Sequence, residues 1–63
     1  MTLSTMYDLL KNSEPVLIEV FAEYDPDLLI DSIETNNIDE AEYMVLGNER
    51  NYVYIREPQK QTF

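Results

Sequence analysis

The clearest pattern in the chain is the alternation over Val16–Ala22, a β-branched and aromatic run. It lies between a breaker, Asn12-Ser13-Glu14-Pro15, and the helix-start signal Tyr24-Asp25-Pro26-Asp27. That spacing is too short for a helix and predicts a strand. Val16, Ile18 and Val20 fall on one face, and Leu17, Glu19, Phe21 and Glu23 on the other. The mixed second face predicts partial exposure or contact with a partner. Upstream, Leu3, Met6, Leu9 and Leu10 recur at helical spacing, and Thr5-Met6-Tyr7-Asp8 has the form of a capping box with Asp in place of Glu. A helix of about two turns is expected between Leu3 and Asn12.

Further along, Asp25 suits an N-cap, Pro26 the first helical position, and Asp27 the positive end of a helix dipole. A second helix is therefore expected from there to about Asn36 or Asn37, with Leu29, Ile30 and Ile33 as its buried stripe. Ala41–Leu46 and Asn51–Glu57 read as the two arms of a hairpin around Gly47-Asn48-Glu49-Arg50. Ala41, Tyr43 and Val45 would share one face of the first arm. In the second arm Val53 and Ile55 share one face, and Tyr52, Tyr54 and Arg56 the other. Pro58 ends that strand, and residues 58–63 are expected to form a flexible tail. The predicted order is α-β-α-β-β. The predicted class is α+β: one small domain over residues 1–63, with two helices on one face of a three-stranded antiparallel or mixed sheet.

Length and composition narrow this further. A chain of 63 residues buries only about 60% of its unfolded surface, so its core is small, and pairing into a homodimer is one way to enlarge it. There is no Cys and no His, which excludes disulfides, thiolate zinc sites and the usual nucleophile–base pairs. Hydrophobic residues make up 44% of the chain, with five Tyr and two Phe, unlike a disordered acidic tail. The first ten residues lack the basic and apolar regions of a secretory signal, and no run approaches the roughly 20 apolar residues of a membrane span. A cytoplasmic location is the expectation.

Charge changes the picture most. From Asn12 to Glu49 there is no Lys, Arg or His, yet eleven carboxylates occur there. The four basic residues, Lys11, Arg50, Arg56 and Lys60, all lie outside that stretch, and the net charge is −9. Such a chain is a poor ligand for nucleic acid or anionic membrane, both of which require positive charge. Acids held together repel one another and weaken the compact state, so the pattern points to a cationic partner surface or a cation.

Three kinds of site follow. On the predicted second helix, Asp27, Asp31 and Glu34 stand at i, i+4 and i+7, a row of negative charges about 5–6 Å apart. DNA-binding proteins grip phosphate rows with Lys and Arg, so such a row suits a nucleic-acid-binding groove, with Glu23, Asp39, Glu40 and Glu42 as auxiliaries. The competing reading is a solvated face that only keeps the chain soluble. Tyr52 and Tyr54, projecting together with Arg56, have the composition enriched in protein interfaces, or else simply cover a thin sheet. A calcium loop needs alternating ligands, a Gly at the turn and a closing Glu. Pro26 and Leu28-Leu29-Ile30 stand there instead, so no metal or other cofactor is expected. Catalysis is not expected either, because there is no Gly-rich phosphate loop and little volume for a cleft.

In composition the chain resembles small, acidic, Cys-free phage and mobile-element inhibitors of nucleic-acid enzymes, such as anti-restriction and anti-CRISPR proteins. That resemblance implies a non-catalytic inhibitor of a basic, nucleic-acid-binding protein, acting by mimicry of nucleic-acid charge. The alternatives are a small structural or assembly protein, a homodimer whose acids serve solubility, and an antitoxin-like regulator.

Overall fold

The computed structural model describes residues 3–58. Its elements are α1 (Leu3–Lys11), β1 (Val16–Ala22), β2 (Asp25–Thr35), α2 (Ile38–Leu46) and β3 (Tyr52–Arg56). The class is α+β, with two helices and a three-stranded antiparallel sheet in the order β2-β1-β3. The predicted order α-β-α-β-β is corrected to α-β-β-α-β. The tail assigned to residues 58–63 lies outside the described residues beyond Pro58.

β1 is the central strand, and its alternation is carried through without a break. Val16, Ile18, Val20 and Ala22 are fully buried, while Leu17, Glu19 and Phe21 are half-buried. Val16, Ile18 and Val20 pack against Met6 and Leu10 of α1, Ala41 and Met44 of α2, and Ile55 of β3. Both helices therefore cover one face of the sheet. α1 lies over β1 and β3, and α2 over β1 and β2. Thr5, expected as the cap, lies inside α1. The helix closes on Ser13, whose φ of 61° is left-handed. Ser13 N–H donates to the Leu10 carbonyl at 3.0 Å, and Glu14 N–H to the Leu9 carbonyl at 2.9 Å. This pair of bonds is a Schellman ending.

The two middle elements exchange the types that the sequence pattern suggests. Asp25–Thr35 is a strand, not a helix. Asp25 does cap a backbone N–H, that of Asp27 at 3.1 Å, but the bond closes a local Asx turn and no helix follows it. Beyond it, Asp31, Ile33 and Thr35 pair with Val20, Ile18 and Val16, so the period is two. The register slips at Val20/Phe21 and again at Phe21/Ala22. These bulges place the extra residues Pro26–Leu28 and Ile30 on β2. Leu29 and Ile30, expected to be buried, are both 47% exposed.

Residues 38–46 form a helix, not the first arm of a hairpin. Its cap is Asn37, whose side-chain oxygen accepts from Glu40 N–H at 3.0 Å. Ala41 and Met44 face the core and Tyr43 stands in solvent, which dissolves the expected grouping of Ala41, Tyr43 and Val45. Gly47-Asn48-Glu49-Arg50 is accordingly the exit of α2. Asn48 Nδ2 donates to the Met44 carbonyl at 2.7 Å, and Asn51 Nδ2 donates to Asn48 Oδ1 at 3.1 Å.

Candidate functional site

The sheet face turned away from the helices carries the candidate site. Register arranges it as three rows across β2, β1 and β3: Glu34, Leu17 and Arg56; Ser32, Glu19 and Tyr54; Leu29, Phe21 and Tyr52. Neighbours on this face also meet diagonally. Glu19 lies opposite Tyr54 and bridges to Arg56 at 2.6 Å. Phe21 lies opposite Tyr52 and meets the Tyr54 ring edge-on, with centroids 5.4 Å apart and planes at 82°. Edge-to-face rings are a favourable arrangement. Tyr52 and Tyr54 are thus on one exposed face together with Arg56, as the alternation predicts.

An open groove crosses this face. Its lining is Glu19, Phe21, Pro26, Asp27, Tyr54, Ile55 and Arg56. The β2 bulge supplies Pro26 and Asp27, and β3 supplies Tyr54 and Arg56, so residues distant in sequence meet here because β1 lies between their strands.

The acids sort differently from a helical row. Asp31 pairs with Val20 on the helix-covered side of β2, whereas Glu34 pairs with Leu17 on the open side. The expected Asp27–Asp31–Glu34 row therefore does not form, because a strand sends residues three apart to opposite faces. Asp31 accepts from Ser32 N–H at 2.8 Å. Glu23 lies in the β1–β2 turn, where its N–H donates to Asn51 Oδ1 at 3.1 Å. Asp39 and Glu40 occupy the first turn of α2, with half-buried Glu42 just beyond.

A different segregation replaces the row. β2 contributes Asp25, Asp27, Asp31 and Glu34, and α2 contributes Asp39, Glu40 and Glu42, with no base on either element. α2 packs on β2, so these seven acids gather on the β2–α2 side of the molecule, with Asp31 on the helix-covered face of the sheet and Asp27 and Glu34 on the open one. The described bases lie elsewhere: Lys11 at the end of α1, Arg50 in the loop before β3, and Arg56 in β3. The sequence held a signal for the α2 half of this flank. Asn37-Ile38-Asp39-Glu40 has cap-x-x-Glu spacing, and Ala41, Met44 and Val45 follow at helical intervals.

Among the described residues no group of three or more carboxylates is placed to hold a metal ion. No helix there is long and apolar enough to cross a membrane. The chain matches no protein-family model, and searches of curated proteins and of solved structures give no match. The fold and the site together define a small α+β domain with one aromatic sheet face that no described element covers and one acid-rich side.

Proposed function

We propose that the chain is a non-catalytic binding protein that presents its acidic flank to a basic, nucleic-acid-binding protein and keeps that protein from its nucleic acid. The observation that carries this reading is the flank itself: seven acids on β2 and α2 without a base, while the described bases sit around α1 and β3. A surface polarised in this way steers a cationic partner during encounter and fixes its orientation. Partner side chains that grip phosphates are Lys and Arg, and carboxylates offer them the same charge. A phage or mobile-element inhibitor of a restriction or CRISPR enzyme, working in the host cytoplasm, fits this chemistry.

The test is affinity capture from the native host at low and at high salt, followed by a nucleic-acid-binding assay on the captured protein. The reading expects basic nucleic-acid-binding partners that elute as salt screens the charges. It also expects excess chain to displace nucleic acid from them. Partners that keep their nucleic-acid affinity in the presence of excess chain overturn it.

A second reading rests on the other surface. The uncovered face, with Leu17, Phe21, Tyr52 and Tyr54, suits a homodimer in an assembly role. Sedimentation at two salt concentrations separates the readings: such a dimer persists or tightens in salt, because screening relieves repulsion between two chains of charge −9.

A further inference from the structure

We infer that the groove across the open sheet face is a receptor for one arginine side chain of the basic partner. This rests on the reading above and assigns a particular contact within it. The groove holds two carboxylates, Glu19 and Asp27, and one guanidinium, that of Arg56. Glu19 is matched by Arg56 at 2.6 Å and only 18% of its side chain is exposed. Asp27 is exposed, and what it contributes locally is its N–H, donated to Asp25. Among the described residues the groove therefore keeps one uncompensated negative charge.

That charge stands beside aromatic rings. Phe21 and Tyr54 are locked edge to face, and Pro26 lines the groove with them. A cation set against aromatic faces gains from their quadrupole, and a guanidinium stacks on rings while reaching a carboxylate with two parallel donors. An ammonium is more strongly hydrated and lacks the planar fork. Arg56 already shows that a guanidinium is accommodated against this face. A second one, entering beside Asp27 and Tyr54, would complete the charge balance. Positions on β1 and β3 hold the rings, and the β2 bulge brings Asp27 to them, so the bulge is the device that builds the receptor.

The experiment is a titration of the isotope-labelled chain with tetra-arginine amide at low salt, followed by backbone amide shifts, with tetra-lysine amide as comparison. The expected result is that Phe21, Asp27 and Tyr54 respond first and that the arginine peptide binds more tightly than the lysine peptide. Asp27→Asn should weaken the arginine peptide about fivefold, and Tyr54→Leu about two- to fivefold. Both variants should keep the amide dispersion of the folded chain. Shifts confined to the Asp31, Asp39 and Glu40 region, with Asp27→Asn without effect, would overturn the receptor and leave the acidic-flank reading standing. Equal binding of the lysine peptide in the groove would overturn the guanidinium assignment. Absence of binding by either peptide at low salt would overturn both readings.

Discussion

Asn51 ties the loop before β3 to the turn after β1: its side-chain oxygen accepts from the Glu23 N–H, 28 residues away in sequence, at 3.1 Å. Its amide nitrogen donates to Asn48, which in turn donates to the Met44 carbonyl at the end of α2. One half-buried side chain thus links a helix end to a strand turn. Asn51→Ala should cost about 1 kcal/mol, read as a lower urea midpoint at unchanged slope. Asn51→Asp keeps the acceptor for Glu23 N–H but turns a carboxylate oxygen toward Asn48 Oδ1 in place of a donor, so it should cost at least as much.

Ser13 ends α1 at a φ of 61°. A side chain in the left-handed region costs about 1–2 kcal/mol that Gly does not pay. Gly loses part of that gain through its freer unfolded chain. Ser13→Gly should therefore stabilise the fold by about 0.5–1 kcal/mol, seen as a rise in the denaturation midpoint.

Gly47 is a contrasting case. Its φ of −74° suits any residue, and on that ground alone Ala would gain about 0.4–1 kcal/mol. A Cβ there, however, would sit 2.8 Å from the backbone carbonyl oxygen of Tyr43, which also accepts the Gly47 N–H at 2.9 Å. Relieving that contact moves the helix end. Gly47→Ala should lose about 1–2 kcal/mol, with thermal unfolding as the measurement, and a gain would show that the α2 exit relaxes freely.

The small core sets the tolerance to larger cavities. Ile18 is fully buried at the centre of β1, between Ile33 and Ile55. Truncating such a residue costs about 2–5 kcal/mol, while a chain of 63 residues holds about 3–9 kcal/mol in all. Ile18→Ala should leave much of the population unfolded by circular dichroism at ambient temperature, and Ile18→Val should remain folded.

Charge contributes against folding. With a net charge of −9 and seven acids gathered on β2 and α2, moderate salt should raise the urea midpoint by screening repulsion. The single Glu19–Arg56 pair, with Arg56 mostly in solvent, is worth about 1 kcal/mol and is too weak to reverse that trend. A midpoint that falls with salt would show that local ion pairs outweigh the repulsion.

The parts of the fold that were legible from sequence are those in which local pattern and tertiary burial agree. β1 reads directly, because one of its faces is buried end to end. β3 reads as well, and with it the shared exposure of Tyr52, Tyr54 and Arg56. Residues 25–35 mislead because Asp25-Pro26-Asp27 writes a helix start that is used as a turn. The decisive fact, that β1 needs a hydrogen-bonding neighbour on that side, is tertiary. Once that segment is taken as a helix, the hydrophobic run at 41–46 is left to serve as a strand, and the Asn37 cap goes unread. The acid-rich stretch was legible as charge, but its placement on one flank depends on which helix covers which strand. The groove was not legible at all, since a register slip brings Pro26 and Asp27 to the same groove as Tyr54.

Among the described residues, β2 has no strand beside one of its backbone edges, along eleven residues. Such an edge is a template on which further chains can add, and the exposed Leu28, Leu29 and Ile30 would reward them for doing so. Pro26 lacks the N–H that an added strand would need, the bulges twist the line of donors, and Asp25, Asp27, Asp31 and Glu34 would face their own copies across any new ladder. The irregularity of this strand is therefore of the kind that disfavours growth of crowded copies into fibres.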